Sequence, residues 1–300
     1  MTTLYINVDE VLSLHFKDVE LDKKEQSIIK DLCHSINLNN LALPVKPDIA
    51  LKIISLIKDK NVSMEELVNL IQMDPSISGE LIHFANGPLF RANRPITSIK
   101  EALVRLGLRN SQMLMVNLAI KNLFKSDTPS IKTLMDELWV ESVWCSIFTY
   151  LLSDKLNVLD KERALLAGLI ANVGGIPILA YIEAHQWELK EDTIRQLVHH
   201  LSPVTGVLVG EYWNLGVDLS NAIKHHRTWE YDSSTIEYTH LVLVARWDLT
   251  RMFSENHPDP TTVPSFNRLN LPYPKEGEGI GCLECLEREI DQMKRLFNVN

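Results

Sequence analysis

Two histidine pairs, His199-His200 and His225-His226, and a Cys282-x-x-Cys285 are the groupings in this sequence that invite a chemical reading. Imidazoles bind metals and phosphates and carry protons near neutral pH. Neighbouring side chains on a helix, however, point about 100 degrees apart, so neither pair can chelate one ion well. His225 and His226 are therefore candidate ligand or partner contacts, against the simpler reading of a buried, hydrogen-bonded imidazole; His199 and His200 are read in the same way. The cysteine pair supplies half of a tetrahedral zinc site, but no second Cys-x-x-Cys exists and Cys33 and Cys145 are distant in sequence. It is expected to be structural, with both cysteines on one apolar helix face. Asp74 stands directly before Pro75, where helix capping explains it fully. Asn86 precedes Gly87-Pro88 at the end of a helical pattern, where it could cap carbonyls or face a partner. Arg91 and Arg94, with Arg105 and Arg109, form a modest basic cluster that could receive an anionic ligand or an acidic partner surface, although a solvated helical face is the plainer account. The common nucleotide, zinc-protease and hydrolase signatures are missing, so no catalytic residue and no cofactor is expected from motifs.

Composition narrows the classes. With 39 acidic against 30 basic residues the net charge is -9, and no long basic run offers a footprint for nucleic acid. No apolar run is read as reaching the roughly 18 to 20 residues that span a bilayer, so membrane insertion is not expected and the protein is placed in the cytoplasm. Four cysteines are too few for a disulfide scaffold. An apolar share of 45% can fill a large core.

The elements that must position these residues are helices. Ser63 with Glu66, and Ser98 with Glu101, are capping-box patterns ahead of apolar runs, and Gly107 can close the second run with a positive φ. Beyond a polar break at 126–130, apolar patterns run over 139–152 and 161–181, the latter bent or broken by Gly174-Gly175 and Pro177. Shorter patterns follow at 192–201, 203–213 and 219–225, then a long one at 233–252 and a last at 283–297. An amphipathic stretch covers 21–36, and 256–281 reads as an irregular arm. No period-2 strand, hairpin or repeat is evident. The fold class is all-α, divided as a 1–40 helical extension, a 41–125 lobe, a 126–255 lobe and a 256–300 arm with a final helix.

Leu43-Pro44, Asp74-Pro75, Leu81 to Asn86, Ile96 to Ile99, Ala102 and Leu106-Gly107 fall at the spacing of the N-terminal half of HDOD domains. Trp139 to Ser142, Gly168 to Gly174, Gly206 to Trp213 and Ile223 to His226 follow in the order found in HD phosphohydrolases. Over about residues 40–255 the chain resembles the HDOD family, which implies a smaller helical lobe ahead of an HD-like bundle. HD enzymes hold one or two divalent cations through a histidine, a His-Asp pair and a later aspartate. The resemblance implies that these positions are Glu141, Ala171-Asn172 and Arg246 here, with Ser202 where a further histidine often stands. Such a set offers one carboxylate against one guanidinium, so no metal is expected. The implied function is a non-catalytic signal-transduction module whose groove receives an unknown signalling protein or a small-molecule or nucleotide ligand. The alternatives are a metal-dependent phosphohydrolase rearranged around Glu141, His199 or His200, and His225 or His226, or a nucleic-acid binder using the Arg91 to Arg109 face.

Overall fold

A computed structural model describes residues 6–15, 21–57, 63–87, 90, 94–253 and 257–299, with helices and no strand among them. After α1 (Val8–Glu10) and α2 (Lys23–Asn37), a first group comprises α3 (Asp48–Ile57), α4 (Met64–Gln72), α5 (Pro75–Ala85), α6 (Ile99–Leu106) and α7 (Leu108–Lys121). The second group is α8 (Pro129–Leu156), α9 (Lys161–Ile170), α10 (Gly175–Ala184), α11 (Glu191–Trp213), α12 (Val217–His225) and α13 (Tyr238–Phe253). The chain then runs through α14 (Pro264–Arg268) and α15 (Gly281–Glu284) to α16 (Glu287–Phe297).

Local chemistry sets most of the boundaries. Ser63 and Glu66 make both bonds of a capping box, and Asp22 with Glu25 makes another at the start of α2. Asp74 Oδ1 accepts from the amides of Ser76 and Ile77 at 2.9 and 3.1 Å, with Pro75 at the first helical position. Ser98 makes only half of its expected box. It accepts from Glu101 N, but the Glu101 carboxylate turns instead to Thr97 N and Arg94. Gly107 joins α6 to α7 at φ 78°, a value that side chains beyond glycine seldom adopt.

Three boundaries differ from the sequence reading. The patterns at 192–201 and 203–213 are one helix, α11, with Pro203 inside it. Proline removes one helical hydrogen bond, but Leu197, Val198, Leu201, Leu208 and Val209 form one continuous buried face, and that burial outweighs the lost bond. The 233–252 helix begins only at Tyr238, because Asp232 and the Ser234 carbonyl are engaged by Arg268. The last pattern splits into α15 and α16. Within the stretch read as an irregular arm, residues 257–281 include a 3-10 turn at Pro260–Thr262 and α14, anchored by the buried side chains of Val263 and Phe266.

The stretch Lys161–Ala184 corrects the reading that no apolar run is long enough to span a bilayer: by length and composition it is, although 89% of its apolar window is buried in the core. It is divided into α9 and α10 by a turn at 171–174, where the glycines permit close packing. A Cβ on Gly168 would lie 2.5 Å from the Ser146 Cα, and one on Gly174 would lie 1.9 Å from the Ser202 carbonyl. These approaches lock α9 against α8 and the turn against α11.

The segment read as an N-terminal extension does not stand apart. α2 buries Ile28, Ile29, Leu32, Cys33 and Ile36, and it bonds to the second group of helices. Ser35 Oγ lies 2.6 Å from the Tyr181 hydroxyl on α10, and Thr193 on α11 donates to Glu25. At the other end, α16 lies against α8 and α7. One continuous apolar core therefore joins both groups and both flanking segments.

Candidate functional site

A cleft of about 1070 Å³ opens on the second group of helices. Helical spacing builds its walls. α8 contributes Glu137, Val140, Glu141 and Trp144; α11 contributes Arg195 and His199 one turn apart; α13 contributes Arg246, Leu249 and Thr250; and the segment leaving α12 adds Arg227 and Trp229. Asn172, in the turn after α9, lies beneath.

Arg246 is at the centre. It is buried, 3% exposed, and its Nη2 lies 2.7 Å from Glu141 Oε1 while its Nη1 donates to Asn172 Oδ1 at 3.1 Å. Arg227 approaches the same partners from the other side. Its Nη2 donates to Asn172 Oδ1 at 3.4 Å and stands 4.0 Å from Glu141 Oε2, its Nη1 lies 2.8 Å from His199 Nδ1, and its Nε donates to His226 Nε2 at 3.2 Å. Two guanidiniums thus share one half-buried carboxylate and one amide oxygen.

The electrostatics follow from that sharing. Burial works against the Glu141 carboxylate, yet Arg246 and Arg227 together hold its carboxyl below the usual range. Burial, and then the like charge of Arg246, pull the Arg227 guanidinium down to about 9. His199 is lowered to about 3 by burial and by Arg227, so its ring is neutral and can accept from that guanidinium. Buried His226, with Nδ1 2.5 Å from the Ile223 carbonyl, is held well below its ordinary value by burial and by Arg227. No group of this cluster with a resolved shift is poised to exchange protons near neutrality, and the buried Cys145 thiol is pushed up to about 12 by burial.

Of the residues singled out from the sequence, Arg246 is in contact with both Glu141 and Asn172. Ala171 is fully buried beside Asn172, with no ligand atom to offer. Ser202 is buried on α11. His226 joins the cluster through Arg227, whereas His225 turns away to pack on Tyr231, with ring centroids 4.5 Å apart. Asn86 and Arg94 belong to the α5–α6 connection. There the Asn86 amide is bonded to the Ile82 carbonyl and to both backbone groups of Ile96, and Arg94 reaches Glu101. Arg91 lies outside the described residues. Cys282 is half-buried but Cys285 is exposed, which corrects the expectation of a shared apolar face: α15 ends at Glu284 and leaves Cys285 as its exposed cap. The sequence reading missed Arg227, the second cation of the site. Its only signal was its place directly after His226.

A divalent cation does not fit this donor set. It would meet one carboxylate and one imidazole whose nitrogen already faces a guanidinium, with two positive charges at the same place. Among the described residues, no three His, Cys, Asp or Glu side chains converge elsewhere as a metal site. The arrangement suits an oxyanion instead, since its unused valences are N–H donors.

Comparison with known proteins agrees with the architecture. The sequence model of the HDOD domain family matches residues 43–229. A presumed metal-dependent phosphohydrolase from Shewanella amazonensis superposes with a TM-score of 0.69 at 21% identity, covering 92% of this chain and 99% of that one. An HDOD domain protein of unknown function from Geobacter sulfurreducens gives 0.62 at 21% identity, covering 89% and 96%. A presumed signal transduction protein from Marinobacter aquaeolei gives 0.63 at 20% identity, covering 98% of this chain and 68% of that one. At these identities the likeness is one of fold. A curated relative, an uncharacterized protein of Treponema pallidum, is 24% identical over 196 residues, and the matched region spans 37% of its length.

Proposed function

The chain belongs to the HDOD domain family, and from that premise we propose that it is a non-catalytic regulatory module, working through what its cleft binds and not through what it converts. The observation that carries this reading is the Arg246 guanidinium, bonded to Glu141 and Asn172 at the place where the resemblance to HD enzymes puts a cation. A fixed positive charge can hold a carboxylate and a phosphate, but it cannot acidify water, and metal-assisted hydrolysis draws much of its rate from that acidified water. The rival, a rearranged phosphohydrolase, would need Glu141 and His199 to close on one ion. Arg227 lies between them and bonds to His199.

The name of the Marinobacter relative favours a role in signalling; in the reading proposed, a protein partner reads the state of the cleft. Four free thiols suit the reducing cytosol. The test is elemental analysis of protein purified without chelators, together with turnover of nitrophenyl phosphate mono- and diesters in added manganese or magnesium. Less than a tenth of an equivalent of metal and no turnover above buffer is expected. Near-stoichiometric metal, with turnover abolished in Glu141→Ala, would make the protein an enzyme.

A further inference from the structure

The Arg227–Arg246 pair carries one more positive charge than Glu141, the carboxylate beside it, neutralises. Around the cleft, Arg195 is committed to Glu137 and Glu191, and Asp136 to Lys132. That leaves Glu141 alone to serve two guanidiniums, since His199 is neutral. The Glu141–Arg227–Arg246 floor is net +1, while Arg195 between Glu137 and Glu191 leaves one negative charge at the rim of the same cleft.

The unmatched hydrogen-bonding groups have the same sense. Arg246 Nε and Trp144 Nε1, both on residues lining the cleft, and Asn172 Nδ2 beside them are buried donors that meet no acceptor. A buried donor without a partner is unfavourable. Beneath the floor of the cleft the unmatched groups are thus donors, in keeping with the surplus of guanidinium above them. Around the charged floor the wall is apolar and flat, with Trp144, Trp229, Val140 and Leu249 facing the same space. Such a wall does nothing for a bare inorganic anion but supports a planar ring.

Resting on the non-catalytic reading above, we propose that the cleft binds a nucleotide carrying a single phosphoryl group, with its oxyanion on Arg227 and Arg246 and its base against Trp144 and Trp229. A phosphodiester, with one negative charge, matches the +1 of the Glu141–Arg227–Arg246 floor; a monoester brings one charge more. A guanidinium pair gives planar, bidentate recognition of phosphate oxygens. The ring wall makes the base part of the affinity and keeps free phosphate a weak competitor. At about 1070 Å³ the cleft has room for one nucleotide with water to spare.

The experiment is calorimetric and tryptophan-fluorescence titration of the full chain in EDTA, using cyclic AMP, AMP, GMP, adenosine and inorganic phosphate as probes. At least one of the three nucleotides should bind with a Kd below about 1 mM. Adenosine and phosphate should each bind at least tenfold more weakly. Arg227→Gln should lose at least tenfold in nucleotide affinity with an unchanged circular dichroism spectrum. Should that variant fail to fold, Trp229→Ala, at a half-buried position, carries the test with an expected loss of at least fivefold. No binding of any nucleotide at about 1 mM by folded protein overturns the proposal. So does adenosine or phosphate binding as tightly as the nucleotides, or full affinity in Trp229→Ala. The two readings fail separately: metal-dependent turnover defeats the non-catalytic reading, whereas metal-free protein indifferent to nucleotides defeats this assignment alone.

Discussion

Replacing Arg246 by methionine keeps its bulk and removes its charge, leaving Glu141 with Arg227 at 4.0 Å as its remaining ion partner. A half-buried carboxylate so weakened should destabilise the fold by about 2 kcal/mol, and Glu141→Gln in the same background should recover part of it. Urea unfolding of the single and double variants checks this; additive losses would mean that the two side chains do not communicate. His226 gives a second expectation. Burial holds its folded-state value well below 6.5, so as pH falls beneath about 6.5 the unfolded chain takes a proton that the folded chain refuses. Stability is therefore full above that pH and falls towards pH 5, by up to about 1.4 kcal/mol per pH unit for each such group. His199, His225 and His240 are lowered in the same sense, chiefly by burial. A urea midpoint at pH 5.2 equal to or above that at pH 7.5 would contradict this. At this scale the sequence was half legible. Glu141 and Asn172 could be found because each stands within a recognisable run, and Arg246 because it falls where the resemblance puts the later aspartate. Arg227 could not, because it leaves the end of α12 and reaches the cluster only through the tertiary path of the chain.

Helices were more legible, because caps and apolar spacing are local. Asp74→Ala should cost about 1 kcal/mol, the value of the two amides its carboxylate satisfies, and a thermal melt unchanged from the parent would speak against the cap. What the sequence hides is how closely elements approach. Gly174→Ala would drive a methyl into the Ser202 carbonyl and Gly206, backbone that cannot step aside, so the loss should exceed the roughly 1–3 kcal/mol usual for overpacking. Gly79, in the middle of α5 with open space where a Cβ would go, is the control: Gly79→Ala should stabilise by about 0.5–1 kcal/mol. Equal behaviour of the two variants would show that glycine is needed at neither position for contact reasons. Pro203 misled for a related reason. A proline in a helical pattern reads as a boundary, and only the unbroken buried face on either side, a tertiary fact, keeps α11 whole.

As a whole the molecule is tied from both ends. Although α2 comes before the matched family region, Ile29, Leu32 and Ile36 are wholly or almost wholly buried, and its Ser35 and Glu25 bond to α10 and α11. Deleting residues 1–40 should therefore lower the melting midpoint by about 10 °C or more, and a truncated chain that melts with the parent would show α2 to be an accessory. No periodicity could have revealed this docking, since an amphipathic helix announces that it has a partner and not which one. The final helix has a more particular address. Lys294 of α16 lies 5.0 Å from the Trp144 ring, and Trp144 is also a wall of the cleft. One indole is thus common ground for the docking of α16 and for whatever occupies the cleft, which makes the two a single thermodynamic cycle. An occupant that tightens or loosens the seat of α16 by some factor must have its own affinity changed by that same factor when α16 is drawn away.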